Sequence, residues 1–151
     1  MKKLKIGLAA SAGGHLNELL PLKDSWAGYE HFFVSDNRVN AMELSKKEKV
    51  HFVIVPRRNP FKLLLNVFQA LKIYLKEKPQ IVITTGADVA VPFCLIAKLF
   101  GAKIVFIESF AQIYKPSLSG EIMYRFADKF YIQWEENKKF FPKGIFKGRV
   151  F

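Results

Sequence analysis

The sequence predicts an α/β protein built on a doubly wound, Rossmann-like parallel sheet. Short apolar runs without polar alternation alternate along the chain with longer runs whose apolar residues have helical spacing. Strands of this kind are typical of a parallel sheet covered by helices on both faces. Three of the apolar runs also end in loops that carry Gly, Ser, Thr, His or Glu. Ligands of doubly wound sheets bind beyond the carboxyl ends of the strands, so the fold class also predicts where a site lies.

The predicted elements follow one another in a regular β–α order. Apolar, β-branched runs indicate strands over residues 4–10, 31–35, 52–55, 81–84, 103–107 and 129–132. Helical spacing indicates helices over residues 15–22, 39–47, 60–78, 89–100 and 119–127. Asn59 is placed to cap the third helix with Pro60 in its first turn, and Gly101 follows the fourth helix, where a C-terminal glycine is common. Without repeats or linkers, the chain is predicted to be one domain, residues 1–151, with residues 133–151 as a tail.

The charge balance indicates an anionic partner, because 24 Lys and Arg residues oppose 13 Asp and Glu residues and the net charge is +11. Phosphorylated substrates, an acidic membrane surface and nucleic acid are the candidate classes. A solvated basic surface without a partner is the alternative. The basic residues are scattered and no nucleic-acid-binding module is recognisable, so we predict no nucleic-acid partner.

Cysteine usage and hydropathy bear on location. The single cysteine, Cys94, cannot form an internal disulfide, which fits a reducing compartment. No signal peptide is recognisable, and no run approaches the roughly 18 apolar residues that cross a bilayer. We therefore expect a peripheral protein at the cytoplasmic face of a membrane, without a transmembrane segment. No metal or cofactor site is predicted.

The loop after the first strand is the first candidate for ligand binding. Gly13 and Gly14 let the backbone approach a ligand, and the start of the next helix can offer N–H groups to phosphate. This turn is neither a dinucleotide fingerprint nor a P-loop, and a purely steric turn is the alternative. Ser11 and the two glycines are predicted to bind the substrate, and His15 is a candidate base. His31 and His51 are interpreted as structural or surface residues.

Two further loops end at the same edge of the predicted sheet. Thr85 and Gly86 follow the fourth strand and are predicted to line the site, whereas Asp88 is interpreted as the cap of the next helix. Glu108 follows the fifth strand, where its carboxylate can bind a sugar hydroxyl or act as a base. Its alternative role is to accept hydrogen bonds from loop amides. We predict that His15 and Glu108 face one cleft.

Two segments are candidates for surface contacts. Residues 61–74 are apolar on more than one face and are flanked by basic residues, which suits a helix that rests on a membrane. Core packing explains most of its leucines, and the predicted membrane contacts are Arg57, Arg58, Phe61 and Lys62. The tail is rich in aromatic residues, which favours docking to another chain. The predicted partner contacts are Gln133, Trp134, Phe140 and Phe141.

Three stretches of the chain carry a family resemblance. SAGGHLNELLPL, TTGADVAVPFCLIAKLFGAKIVFIESF and KPSLSGEIMYRFADKFYIQWEE resemble the PssD/CpsF family of capsular and exopolysaccharide synthesis. That family is similar to the acceptor-side subunit of the eukaryotic enzyme that adds the second N-acetylglucosamine to dolichyl-diphosphate-GlcNAc. More distantly, the Gly-Gly-His turn resembles the N-terminal domain of MurG. The resemblance covers essentially the full chain.

The resemblance implies that this chain is the N-terminal, acceptor-binding half of a GT-B glycosyltransferase split into two polypeptides. A PssE/CpsG-type partner would bind the UDP-sugar, and the product would be a β-linked disaccharide on a polyprenyl diphosphate. The chain alone would be inactive. The resemblance places Gly13 and Gly14 near the acceptor diphosphate and adds Ser109, Lys115 and Ser117 to the acceptor site. Eukaryotic members carry a transmembrane anchor that is missing here, so attachment is expected to be peripheral.

Two other functions remain open from the residues alone. A complete nucleotide-sugar or dinucleotide enzyme is disfavoured because no second Rossmann unit and no convincing ribose-binding carboxylate are present. A non-catalytic membrane scaffold that recruits or activates its partner also fits a basic chain with an aromatic tail. Substitution of His15 and Glu108 separates the scaffold from the transferase, because a scaffold would keep turnover.

Overall fold

A computed structural model describes residues 3–150 of the chain. Its strands are β1 Lys5–Ala10, β2 Glu30–Ser35, β3 Val50–Phe52, β4 Ile81–Gly86, β5 Lys103–Ile107, β6 Lys129–Ile132 and β7 Ile145–Phe146. Its α-helices are α1 Gly14–Leu19, α2 Val39–Leu44, α3 Pro60–Glu77, α4 Val91–Leu99 and α5 Leu118–Met123. Two 3-10 segments cover Leu20–Ser25 and Glu135–Lys139.

Within the described residues the seven strands form one sheet in the order β3-β2-β1-β4-β5-β6-β7. Every neighbouring pair is parallel. The chain moves outward in one direction from β1 to β3 and in the other from β4 to β7, so the order reverses between β1 and β4. Such a reversal opens a crevice at the carboxyl ends of the strands. The predicted fold class is confirmed.

Two apolar cores lie on opposite faces of the sheet. One includes Phe93 of α4 and Ile104 and Phe106 of β5, all fully buried. The other includes Leu16 and Leu19 of α1, together with Trp26 and Phe33 among its buried residues. Burying a side chain of this size contributes about 1.5–3 kcal/mol relative to leaving it exposed. The two cores hold the sheet rigid beneath the loops at its carboxyl edge.

The helix boundaries depart from the prediction where proline and local capping decide them. The first helix ends at Leu19 instead of residue 22, because Pro21 falls at the start of a 3-10 segment. Asn59 caps α3 as predicted: its side chain accepts hydrogen bonds from the backbone N–H groups of Phe61 and Lys62 at 3.0 and 3.1 Å. Asp88 does not cap α4, which begins only at Val91 and has no side-chain cap.

The C-terminal tail is part of the domain, and this corrects two predicted partner contacts. Phe141 is 2% exposed, and its ring centroid lies 5.1 Å from that of Tyr124 and 4.6 Å from that of Phe130. Gln133 is 1% exposed. Both side chains are therefore used inside the fold, because β7 pairs with β6 and draws the tail onto the sheet. Trp134 and Phe140 are half-buried and keep part of their surface accessible.

Candidate functional site

A cavity of about 440 Å³ opens at the carboxyl ends of the central strands. We call it the cleft. Polar residues line one part of it, namely His15, Arg58, Asp88, Gln112, Ser117 and Ser119. Apolar and small residues line the rest, namely Pro56, Leu63, Ala87, Val91, Pro92, Leu118 and Ile122. The cleft is therefore amphiphilic, because both titratable and aliphatic side chains line it.

His15 is held in the cleft by a reciprocal pair of contacts with Thr85. Its Nδ1 lies 2.8 Å from the backbone oxygen of Thr85, whose Oγ1 donates to the backbone oxygen of His15 at 2.6 Å. A carbonyl oxygen can only accept, so Nδ1 carries a proton, and in the neutral ring Nε2 then has the free lone pair. Thr85 is fully buried and positions His15 instead of lining the cleft. The imidazole is thus oriented as a base.

The glycine turn beside His15 is anchored by three residues that follow β2. Asp36 Oδ1 accepts from the Ala12 N–H at 2.7 Å, and Asn40 Oδ1 accepts from the Gly13 N–H at 3.0 Å. Arg38 donates to the Asp36 carboxylate and to the backbone oxygen of Ala12. The backbone N–H of Gly13, which was expected to bind a ligand, is therefore used within the protein. The sequence analysis did not identify these three residues. Because they follow β2, the strand that pairs with β1, their position is the signal that could have indicated them.

The remaining donors of this turn are open. Within residues 3–150 no acceptor meets the backbone N–H groups of Gly14 and His15. Gly14 is exposed, and a Cβ built on it meets no atom within 4 Å. Ser11 is buried, and its backbone oxygen accepts from the Leu16 N–H at 3.0 Å. Of the predicted substrate-binding residues of the turn, Gly14 is thus the accessible one.

Glu108 is fully buried and is surrounded by hydrogen-bond donors of its own loop. Its Oε1 accepts from the Ser109 N–H at 2.9 Å and from Ser117 Oγ at 2.7 Å, and its Oε2 accepts from the Ser117 N–H at 3.2 Å. Burial raises the pKa of this carboxyl, although the hydrogen bonds and the nearby His15 charge oppose the rise. Glu108 does not line the cleft. The geometry favours the role of loop support over direct contact with a substrate.

A second buried carboxylate, Glu18 of α1, connects the glycine-turn helix to this loop. It accepts from Ser109 Oγ at 2.9 Å, from the Phe110 N–H at 3.0 Å and from Gln133 Nε2 at 2.8 Å. Trp134 Nε1 donates to the Phe110 backbone oxygen at 2.7 Å. The predicted acceptor residue Ser109 and the predicted partner residue Gln133 are therefore both used to fix the loop. Sequence reasoning missed Glu18, which reads there as an ordinary helical carboxylate.

The wall of the cleft opposite the glycine turn depends on two serines and a glycine. Ser117 Oγ accepts from the Gly120 N–H at 2.8 Å and so caps α5. Ser119 Oγ accepts from the Ala87 N–H at 3.2 Å. Gly86 has φ +97°, and a Cβ built there would lie 2.8 Å from Ser119 Oγ. Gly86 is thus required for packing, while Lys115 lies exposed outside the residues that line the cleft.

The outer face of α3 is apolar although it is exposed. Asn66, Ala70, Ile73, Tyr74 and Glu77 are the buried residues of the helix. The opposite side, which we call the outer apolar face, carries Phe61, Leu64, Leu65, Phe68 and Leu75, between 52% and 79% exposed. Arg57, Arg58 and Lys62 lie exposed beside its first turn. No helix among the described residues is both long and apolar enough to span a membrane.

Two other features complete the survey of residues 3–150. A cavity of about 430 Å³ lies beneath the tail and is lined mainly by aliphatic residues of β4 and β5 together with Lys147–Val150. No group of three His, Cys, Asp or Glu residues in the described part of the chain is arranged to hold a metal ion.

The sheet order and the position of the cleft place the chain in the class of Rossmann-like domains found in GT-B glycosyltransferases. The structure matches MurG from Acinetobacter baumannii with a TM-score of 0.78 at 19% identity, over 97% of this chain and 45% of that one. It matches a UDP-N-acetylglucosamine 2-epimerase from Rickettsia bellii with a TM-score of 0.78 at 15% identity, over 98% of this chain and 45% of that one. The chain spans less than half of either structure, and the likeness establishes the fold and not the activity.

The family follows from the sequence. The family described as "Oligosaccharide biosynthesis protein Alg14 like" matches residues 7–150, and the chain belongs to it. It is 26% identical over 181 residues to the human "UDP-N-acetylglucosamine transferase subunit ALG14", over 99% of this chain and 84% of that protein. It is 27% identical over 147 residues to the "UDP-N-acetylglucosamine--N-acetylmuramyl-(pentapeptide) pyrophosphoryl-undecaprenol N-acetylglucosamine transferase" of Staphylococcus carnosus, over 86% of this chain and 40% of that protein. The predicted similarity to the eukaryotic subunit and to MurG is confirmed, while the PssD/CpsF resemblance remains a prediction.

Proposed function

We propose that this chain is the acceptor-binding, membrane-recruiting subunit of a two-chain glycosyltransferase. A partner subunit binds the UDP-sugar, and the pair transfers the sugar to a polyprenyl-diphosphate-linked sugar. The observation that carries the proposal is the amphiphilic cleft, which is lined by His15 and by Leu63 of α3. The relatives' names support it, since one is a subunit of a UDP-N-acetylglucosamine transferase and the other acts on a pyrophosphoryl-undecaprenol-linked acceptor.

His15 is the proposed base of the reaction. The acceptor hydroxyl gives its proton to Nε2 as its oxygen bonds to the anomeric carbon of the donor sugar. UDP leaves with the electron pair of the broken bond. The contact between Nδ1 and Thr85 fixes the ring so that Nε2 is the free nitrogen. Glu108 is proposed to act indirectly, because it holds the 108–117 loop and this loop places Ser117 in the lining of the cleft.

The outer apolar face of α3 is the proposed membrane contact. Its aromatic and aliphatic residues are largely exposed, and Arg57, Arg58 and Lys62 lie at the end nearer the cleft. An amphiphilic helix with basic flanks suits the interface of an anionic membrane. A lipid-linked acceptor anchored in the same membrane would then reach the cleft without leaving the bilayer. We place this attachment at the cytoplasmic face, in capsular or exopolysaccharide synthesis, on the strength of the sequence motifs.

A small donor-binding subunit of the PssE/CpsG type is the proposed partner, and the tail is its proposed docking region. Trp134 and Phe140 remain partly accessible there, and the Arg149 guanidinium lies 3.9 Å from the centre of the Trp134 ring. The cavity of about 430 Å³ beneath the tail is also lined by Arg149 and offers an aliphatic surface near Trp134. Partly covered aromatic rings beside an apolar cavity are typical of an interface between two chains.

Reconstitution tests the proposed function directly. The chain is co-expressed with the polypeptide encoded beside it, and transfer from UDP-N-acetylglucosamine to a short-chain polyprenyl-diphosphate-GlcNAc is measured. We expect product from the pair and none from either chain alone. Turnover by this chain alone would refute the two-chain proposal. A pair that keeps full turnover after His15→Ala would favour the scaffold function over a catalytic one.

A further inference from the structure

The backbone is strained at two turns that border the cleft. Among the described residues, four non-glycine residues have a left-handed φ, and three of them are Arg57 at 44°, Arg58 at 57° and Ala87 at 78°. Arg58 and Ala87 both line the cleft. Non-glycine residues persist in this conformation only where the surrounding structure over-determines it, and they cluster at ligand-binding sites.

Asp88 is the group that joins the two strained turns. Its Oδ2 accepts a hydrogen bond from the Arg57 N–H at 3.2 Å. Asp88 does not cap α4. Among the described residues, the Arg57 N–H is the donor that its carboxylate meets. Pro56 and Pro60 flank the turn and restrict the backbone on both sides. The position of the Arg58 backbone at the rim of the cleft is therefore set by Asp88 and the prolines.

Arg58 is the basic side chain, apart from the His15 imidazole, among the residues that line the cleft. It lines the cleft, it is exposed, and it forms no ion pair within residues 3–150. Arg38, the arginine beside the glycine turn, is instead paired with Asp36, which neutralises it. A guanidinium that is not paired within the protein is suited to bind phosphate oxygens with two parallel hydrogen bonds.

We infer that Arg58 binds the diphosphate of the lipid-linked acceptor, and that Asp88 is a positioning residue which acts through the Arg57 N–H. The inference rests on the proposed function and assigns the diphosphate to the turn before α3. Leu63, Val91 and Leu118 are apolar residues that line the same cleft. A ligand with its phosphates at Arg58 therefore has its isoprenoid chain against these side chains and toward the outer apolar face.

The test measures binding of farnesyl diphosphate to the full chain by calorimetry in the absence of membrane. Arg58→Ala is expected to weaken binding roughly 10- to 100-fold, the range for loss of hydrogen bonds to a charged group. Arg125→Ala is the matched control, because it removes the same charge from an exposed arginine that does not line the cleft and leaves binding unchanged. Equal losses in the two variants would overturn the inference, because they would indicate a diffuse charge effect.

Asp88 is tested by two substitutions in the same assay. Asp88→Ala removes the acceptor for the Arg57 N–H and is expected to weaken binding, whereas Asp88→Asn keeps an acceptor oxygen and is expected to restore it. Tighter binding by both variants would overturn the positioning role, because the carboxylate would then merely repel the diphosphate. Farnesol, which lacks phosphate, is expected to bind the wild type and Arg58→Ala equally. A tenfold or larger difference with farnesol would show that Arg58 acts through the fold.

The assay separates this inference from the proposed function. If farnesyl diphosphate binding depends on Arg58 but the reconstituted pair transfers no sugar, the transferase proposal fails and the diphosphate site stands. If the pair transfers sugar and its KM for the acceptor is unchanged by Arg58→Ala, the transferase stands and the inference fails. A rise in the acceptor KM with little change in kcat supports both.

Discussion

At the scale of single residues, the cleft is lined by one imidazole whose orientation is fixed. Two nearby carboxylates are buried and do not line it. Thr85 orients His15, whereas Glu108 and Glu18 are buried among backbone and side-chain donors. His31 and His51, by contrast, contact Glu48 and Glu77 and serve the packing of the sheet, as interpreted from the sequence. His15 is therefore the proposed proton acceptor, while the Asp88 carboxylate, which also lines the cleft, accepts the Arg57 N–H.

Substitution of His15 by alanine is expected to lower turnover of the reconstituted pair by about 10²–10⁴, the usual contribution of a positioned base. His31→Gln removes an imidazole remote from the cleft and serves as the matched control, with turnover unchanged. Circular dichroism and partner pull-down establish that both variants fold and assemble. A His15→Ala variant with wild-type turnover would exclude this residue as the base.

Glu108→Gln is expected to reduce the stability of the domain more than it affects chemistry. Glu108 accepts three hydrogen bonds, and an amide would turn a donor toward one of these N–H or O–H groups. The free energy of unfolding should fall by about 1–3 kcal/mol, the cost of a buried polar group left unpaired. Denaturant titration measures the change. A variant of unchanged stability that has lost turnover would restore Glu108 to the role of catalytic group.

At the scale of elements, α3 has a buried polar end as well as an exposed apolar face. Burial alone would raise the pKa of Glu77 near its C-terminus, but hydrogen bonds from Lys49, Lys5 and His51 outweigh this and lower the pKa to about 2. A carboxyl with a lowered folded-state pKa stabilises the protein above its unfolded pKa. That stability is lost as the pH falls from about 4.5 toward 2.

Glu77→Gln is expected to destabilise the protein at neutral pH by about 3 kcal/mol, the free energy that corresponds to this pKa shift. It should also flatten the loss of stability between pH 4.5 and 2. Glu43→Gln is the control, because Glu43 forms an exposed ion pair with Lys46 one helical turn away and contributes little. Unfolding is followed by denaturant titration across this pH range. Parallel curves for wild type and Glu77→Gln would contradict the assignment.

The outer apolar face of α3 is expected to determine binding to anionic vesicles. A double variant, Phe61→Ser with Phe68→Ser, should lose most sedimentation with the vesicles, since both side chains are more than half exposed and contribute nothing to the core. Leu99→Ser is the matched control, because Leu99 is 82% exposed but lies on α4. Binding of the wild type should fall with added salt, as attraction between basic residues and anionic lipid is screened. Equal binding to neutral and anionic vesicles would contradict the role of the basic residues in membrane binding.

At the scale of the whole molecule, hydrophobic periodicity was sufficient to predict the α/β class, the first six strands along the chain and a site beyond the carboxyl ends of the strands. The same edge of the sheet holds His15, Ser117 and Gly86, as the topology required. The anchors of the glycine turn could not be predicted, because Asp36, Arg38 and Asn40 are polar residues at the start of α2 or just before it, and their partners lie 24 to 27 positions away. The short β7 and the burial of Phe141 likewise depend on tertiary contacts that periodicity does not encode.

Truncation after Ile132 is expected to unfold or strongly destabilise the domain instead of only removing a docking tail. It deletes Phe141, and removing a buried phenylalanine alone costs about 3–5 kcal/mol. The partner interface is better tested by Trp134→Ala and Phe140→Ala, whose rings are partly accessible. Denaturant titration reports stability, and a pull-down reports assembly. A truncated chain as stable as the wild type would contradict the packing of the tail.

The hydrogen bonds around Glu18 determine which parts of the fold can form first while the chain is being synthesised. Gln133 contacts Glu18 across 115 positions of sequence, and its backbone neighbour Trp134 contacts Phe110. A ribosome that has synthesised the sheet through β5 has not yet supplied either contact. Until the tail has emerged, the loop at residues 108–117 therefore lacks these two contacts, since domains acquire their long-range contacts only as the chain is completed. A nascent chain stalled before residue 133 should therefore be cleaved by protease at this loop.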